Sequence, residues 1–220
     1  MGQIASRESR AKRRRAQSFE SLVRAGLAVI AKRGLYETTV ENITEAADIG
    51  KGTFYAHFPS KEALVRHLVR HGFDELIAAG RGEAADGMRP ADRLTGLIRA
   101  QLRVLGRRRD LVILLHQVRG LLIRQPRGKQ HLRQEYQRYI RFLMEECRNA
   151  LGWPNLPAGE AQDLACAIAG FVAGMLSFEM LLRGSRARLT PPNGPISAFA
   201  AGAVAHYGAS GRSADGSVSG

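Results

Sequence analysis

The chain is predicted to be all-α, on three observations. Its strong hydrophobic periodicities recur at three and four residues, the spacing of one helix face. No segment alternates apolar and polar residues between turn pairs, as a half-buried hairpin requires. Stretches rich in Pro and Gly, at 152–158 and 183–194, separate the last three periodic segments instead of punctuating short strands.

The elements follow in order. The first helix is expected over 18–33, with Leu22, Gly26, Val29 and Ile30 on one face and Gly34 as the C′ stop. Thr38 and Glu41 have capping-box spacing for a second helix over 40–47, with Thr39 as the alternative cap one residue later. Asp48, Ile49 and Gly50 form the turn, Gly50 being its natural breaker. A third helix covers 51–58. Pro59 disfavours helical geometry at the residue before it, and Ser60 with Glu62 opens a fourth helix that continues to about residue 79. Residues 80–90 read as a connection, and longer helices are expected over 91–107, 110–124, 129–151, 159–182 and 195–207. The implied domains are a basic flexible arm over 1–17, a three-helix unit over 18–70 and a helical unit over 80–207. A tail of small residues over 208–220 buries too little apolar surface to offset its ordering entropy, so disorder is expected there.

Length and composition narrow the function classes. The 220 residues suit one large domain or two small ones. A hydrophobic fraction of 45% with 24% charged residues predicts a folded, soluble chain. Lys and Arg number 33 against 20 Asp and Glu, and the net charge of +13 points to a polyanionic partner: DNA, RNA or an anionic membrane. Arg10, Lys12, Arg13, Arg14 and Arg15 concentrate this charge near the start, where a basic arm can lie along phosphates or enter a minor groove. Cys147 and Cys166 lack metal or disulfide spacing, which fits a reducing cytoplasm. Ser18, Glu20, Ser21 and Arg24 interrupt any signal-like apolar run. His67 and His71 stand at i, i+4 without the acid of an HExxH pattern, so no metal is expected.

The pair of helices at 40–58 carries the functional signal. Two short helices joined by a three-residue turn are what a helix-turn-helix requires. Ile43, Ala46, Ala47, Ile49, Phe54 and Phe58 can close one small core, which leaves Lys51, Thr53, Tyr55, Ala56 and His57 outside it. A lysine and a hydroxyl can read base edges, and Gly52 lets the helix start approach closely. Tyr55, His57 and Lys61 suit phosphate.

The run from Thr39 through Glu41-Asn42-Ile43-Thr44-Glu45-Ala46-Ala47 and Lys51-Gly52-Thr53-Phe54-Tyr55-Ala56-His57-Phe58 to Leu64 resembles the DNA-binding signature of the TetR family, over about residues 18–70. The resemblance implies a three-helix DNA-binding unit, a linking fourth helix, and an all-α C-terminal domain that dimerises through its last two helices. It also implies DNA contact at Thr39, Lys51, Gly52, Thr53, Tyr55, His57 and Lys61. Gly50 departs from the pattern, because serine is common there, so that hydroxyl contact is absent.

Past residue 80 the family shares little sequence, and effector identity does not transfer. Polar or aromatic groups within the periodic faces are the ligand-binding candidates: His116, Gln117, Tyr139, Phe142, Phe178 and Glu179. The apolar segment 161–182 is expected to be buried on two sides, with Gly170 and Gly174 allowing close helix approach in a homodimer.

The expected function is a cytoplasmic repressor that binds palindromic double-stranded operator DNA as a homodimer and is released by a small-molecule effector. It needs no cofactor, metal or membrane. An alternative from another class is a membrane-anchored adaptor, since Met1-Gly2-Gln3-Ile4-Ala5-Ser6 fits an acylation template ahead of the arginine run. An enzyme has little support, with no nucleophile elbow, P-loop or dinucleotide fingerprint.

Overall fold

A computed structural model describes residues 2–82, 87–125, 127–184 and 193–215. Among these residues the elements are α1 (Gly2–Arg33), α2 (Val40–Ala47), α3 (Lys51–His57), α4 (Lys61–Arg81), α5 (Pro90–Gly106), α6 (Arg109–Arg124), α7 (Gln130–Leu151), α8 (Ala158–Arg183) and α9 (Asn193–Asp215), with no strand. The chain divides into two compact units. The first comprises the residues up to His71 together with Ile113–Leu132, and the second comprises Gly72–Val112 and the residues from Arg133 onward. This differs from the contiguous 18–70 and 80–207 partition, because most of α6 folds with the N-terminal helices.

The first unit grows from α1, α2 and α3 around Leu22, Ile30, Ile43, Phe54 and Leu64, all fully buried. A Cβ on Gly26 would stand 2.6 Å from Leu64 Cδ2, so glycine is what lets α1 approach α4. Gly34 at φ +94° ends α1 as predicted, its N–H donating to the Ile30 carbonyl at 2.9 Å. Phe19 stacks on Phe58 at 5.3 Å and meets His67 edge-on at 5.0 Å. His67 therefore serves aromatic packing, and it also lies parallel to His71 at 6.2 Å. The basic arm is no separate element: its backbone continues α1 back to Gly2. For residues 2–8 only this helical backbone is described, and Met1 of the acylation template lies outside the described residues.

In the second unit Phe73, Leu76, Leu94, Ile98, Leu111 and Leu143 form the core. A buried polar chain crosses it: the Tyr139 hydroxyl donates to Gln101 Oε1 at 2.9 Å, and Gln101 Nε2 donates to the Leu76 carbonyl at 3.0 Å. Both side chains are buried, so each bond spares a polar group an unsatisfied burial. The α8 helix buries Ala161, Leu164, Ala165, Ile168, Val172 and Leu176 on one stripe. Its opposite side leaves Phe178, Leu181 and Leu182 exposed, the last at 77%. Among the described residues α8 is covered on the side of the domain core. Among the described residues it is the helix long and apolar enough to cross a membrane. Both α8 and α9 pack on α5, and Phe171 stacks on Phe199 at 4.7 Å. The α9 helix extends to Asp215, into the stretch expected to be a tail, while residues 216–220 lie outside the described residues.

Candidate DNA-binding surface

The surface is built on the cap of α2. Thr39, in extended conformation at φ −108° and ψ 167°, accepts from the Asn42 N–H at 3.2 Å, and the Asn42 side chain accepts from the Thr39 N–H at 3.2 Å. The capping box therefore uses the later threonine and Asn42, not Thr38 and Glu41. Thr38 is buried and donates its hydroxyl to the Gly34 carbonyl at 2.7 Å. Glu41 is freed for Lys51 on α3, 2.5 Å away. That hydrogen bond, with help from neighbouring donors, holds the Glu41 carboxyl down at about 2, and Glu41 in turn raises the Lys51 ammonium.

The turn departs from expectation as well. Asp48, not Gly50, takes the left-handed conformation at φ 53°, where an aspartate is tolerated better than most side chains. Ile49 N–H then donates to the Thr44 carbonyl at 3.0 Å, and Gly50 enters α3 as its N-cap without any side-chain bond. The α3 helix ends at His57, and the Phe58 N–H donates back to the Phe54 carbonyl at 2.8 Å. Ser60 accepts from the Ala63 N–H at 3.3 Å to start α4.

With Ile43, Phe54 and Phe58 inward, α3 presents Lys51, Gly52, Thr53, Tyr55 and Ala56 to solvent, and Thr39 is exposed beside them. Ala46, expected in the shared core, is exposed, and Ala47 and Ile49 are half-buried: the two phenylalanines close the core without them. Tyr55 is 55% exposed with its ring edge against Phe54, which orients it outward. His57 is half-buried, its Nε2 2.8 Å from the Ser18 hydroxyl and its ring edge-on to Phe19 at 5.6 Å. Burial, and then the nearby Arg15 charge, lower its pKa from the ordinary value. Arg10, Lys12, Arg13, Arg14 and Arg15 are exposed along the first half of α1.

Lys61 behaves differently from a free phosphate ligand. Its ammonium donates to the Leu35 carbonyl at 3.0 Å and to the Thr38 carbonyl at 2.7 Å, clasping the α1–α2 turn from below. Gln117 of α6 holds the same turn from another side, its Oε1 accepting from the Leu35 N–H at 2.6 Å. The Arg124 guanidinium lies 5.6 Å from the centroid of the exposed Tyr36 ring. Sequence reasoning proposed Gln117 for ligand binding and did not single out Tyr36, Asn42 or Ser18. Only the capping spacing at Asn42 offered a local signal.

The other ligand candidates do not form one group. His116 sits 3.3 Å from Arg119 in the first unit. In the second unit Tyr139 belongs to the buried chain through Gln101, Phe178 is exposed, and Glu179 pairs with Arg183 at 3.3 Å. Phe142 alone of the six lines a cleft of about 380 Å³, with Asp74, Ile77, Ala78, Arg81, Arg138, Arg141 and Glu145. Arg81 stands 5.9 Å from the centroid of the Phe142 ring, and Arg138 pairs with Asp74 at 2.7 Å. No group of three metal-ligating side chains occurs among the described residues.

A capped helix pair that turns one face of its second helix to solvent, carried on further helices, defines a helix-turn-helix protein. Residues 22–68 match the family described as "Bacterial regulatory proteins, tetR family". It is 35% identical over 106 residues to the HTH-type transcriptional repressor KstR2 of Mycobacterium tuberculosis, covering 48% of this chain and 53% of the relative. The chain thus spans about half the length of the curated relatives it matches. Among solved structures, the fatty acid degradation regulator FadR of Bacillus halodurans superposes with a TM-score of 0.67 at 18% identity, covering 84% of this chain and 98% of that one. FadR of Bacillus subtilis, solved in complex with stearoyl-CoA, gives 0.67 at 17%, covering 83% and 97%. These two likenesses establish the all-α fold. The relatives are named as regulators, not enzymes.

Proposed function

We propose that the chain is a cytoplasmic transcriptional repressor that binds palindromic operator DNA as a homodimer and is released by a small-molecule effector. The observation that carries this reading is the exposed face of α3, where Lys51, Thr53 and Tyr55 stand clear of a core closed by Phe54 and Phe58. Lys51 and Thr53 offer donors and a methyl group to base edges, and Tyr55 and the N-cap Thr39 offer hydroxyls to phosphate. Lys51 exchanges Glu41 for DNA on binding.

The dimer uses the outer side of α8. Phe178, Leu181 and Leu182 are exposed there, and a Cβ on Gly170 or Gly174 would meet nothing within 4 Å among the described residues. A second copy covers these apolar groups and uses the space above the glycines. The same face meeting itself about a two-fold axis makes the interface isologous. Two recognition helices then read two half-sites about one DNA turn, roughly 34–36 Å, apart.

The effector enters the second unit. The cleft beside Phe142 joins an aromatic wall to three guanidinium groups and two carboxylates, Asp74 and Glu145; the one net positive charge suits a ligand with an apolar body and an anionic group. The stearoyl-CoA reported with the Bacillus subtilis FadR has that composition, and acyl-CoA thioesters are the first compounds to test.

Selection of bound duplexes from random DNA, followed by release assays with fatty acids and acyl-CoAs, tests the reading. Enrichment of a two-fold symmetric sequence and its release by one ligand class are expected. Failure to enrich any sequence would refute operator binding.

A further inference from the structure

Residues 113–132 belong to the first unit although they lie far beyond the helix-turn-helix in sequence. Their charge has one sign: Arg119, Arg124, Arg127 and Lys129, with no Asp or Glu. The segment is fixed beside the turn that leads into α2, through the Gln117–Leu35 hydrogen bond at 2.6 Å and the Arg124–Tyr36 stacking at 5.6 Å. The last residue of that turn, Thr39, caps α2 and is itself exposed. Tyr36 is 57% exposed, and Arg124 and Arg127 are exposed too. Lys129 acts on the first turn of α4: the Glu62 carboxyl is held below the usual carboxylate range chiefly by its own backbone N–H, with smaller help from Ser60, Lys61 and Lys129. Glu37 lies in the α1–α2 turn and Glu62 in the first turn of α4, against four cations in 113–132.

We propose that Arg124, Arg127 and Lys129 form a second DNA-contacting edge of the first unit, which takes the phosphate backbone outside the bases read by α3. This rests on the reading of that unit as DNA-binding. Two observations favour a DNA backbone over a small anion. The cations are strung along the end of α6 and the following turn, as a repeating row of charges requires. The ammonium of Lys61, the cation at the start of α4, already serves two carbonyls, so phosphate at this end needs another partner. Stacking of Arg124 on Tyr36 occupies the guanidinium face and leaves its edge N–H groups to donate.

The test uses the full chain and a selected duplex in two lengths, one trimmed to the half-sites and one extended by about one helical turn at each end. The salt dependence of binding is measured for the wild type, for the Arg124→Ala/Arg127→Ala/Lys129→Ala variant, and for Arg127→Ala alone, which changes an exposed side chain and keeps the test open should the triple variant misfold. On the long duplex the triple variant should lose about 2 to 3 units of log–log slope, and Arg127→Ala about 0.9, the value of one phosphate contact. On the trimmed duplex all three proteins should bind alike. Unchanged slopes on the long duplex overturn the inference while leaving the operator reading intact. So does an equal loss on both duplexes accompanied by a lower melting temperature, which makes these residues structural. Loss of binding to anionic vesicles by the triple variant, with DNA binding unaltered, reassigns the edge to a membrane. A wild type that binds neither duplex overturns the operator reading together with the inference.

Discussion

Replacing Lys61 with methionine separates two roles that a lysine at the start of a DNA-facing helix can have. In the structure its ammonium donates to two carbonyls of the turn between α1 and α2, at 2.7 and 3.0 Å. Charge-assisted hydrogen bonds contribute about 1.5 to 3 kcal/mol each when fully protected. The side chain is half-buried and both carbonyls regain some water when it is removed, so the pair together is assigned about 2 kcal/mol. For a unit of this size that lowers Tm by about 8 to 16 °C. Lys51→Met is the control, because it breaks only an exposed ion pair and should leave stability within about 0.5 kcal/mol. Thermal melting by circular dichroism, with operator binding measured in parallel, gives the answer. Lys51→Met should lose affinity at unchanged Tm, and Lys61→Met should lose both. If Lys61→Met melts with the wild type yet drops one unit of salt slope, the lysine is a phosphate ligand and the clasp is incidental.

Further outcomes are expected. Phe54 is fully buried, so Phe54→Ala should destabilise the first unit by about 3 to 5 kcal/mol, whereas Tyr55→Phe should weaken operator binding without a stability cost; chemical denaturation that finds Phe54→Ala harmless would invert the assigned face of α3. Burial and the Arg15 charge depress the His57 pKa below 6.5, so as pH falls the unfolded chain takes up a proton that the folded chain refuses. The stability His57 contributes above pH 6.5 is therefore lost on the way down through its folded value, and His57→Gln should flatten the fall in Tm between about pH 7 and pH 5; parallel curves count against this. Gly174 has open space above it among the described residues, so Gly174→Leu should keep the fold and disrupt the dimer; sedimentation showing an intact dimer with full operator affinity refutes the interface.

The periodic segments of the sequence locate the helices well, because apolar stripes and Gly34, Pro59 and Ser60 are local signals. What was not legible depends on choices between equivalent neighbours or on distant partners. Thr38 and Thr39 both precede α2, and either spacing offers a reciprocal side chain; the extended backbone at Thr39 decides it. A left-handed aspartate beside a glycine reverses the obvious reading of the turn. Lys, Arg, Ala and Gln in the basic arm are good helix formers, so the arm prolongs α1 without needing tertiary contacts. The α3 face followed from the placement of Phe54 and Phe58. The roles of Gln117 and Gln101 did not, since an amide on a helix face has the same local pattern whether it meets ligand, core carbonyl or a turn over eighty residues away.

The discontinuity of the first unit has a consequence for synthesis. The α2 and α3 helices precede α6 and leave the ribosome before it, and segments made first can fold first. Here the α1–α2 turn waits for Gln117 and Arg124, so its last contacts form only after the first part of the second unit has also emerged. A nascent chain that stops short of α6 carries α2 and α3 with the turn before them lacking its Gln117 and Arg124 contacts. On the proposed reading, the complete DNA-binding unit is therefore assembled only once residues 113–132 have been made.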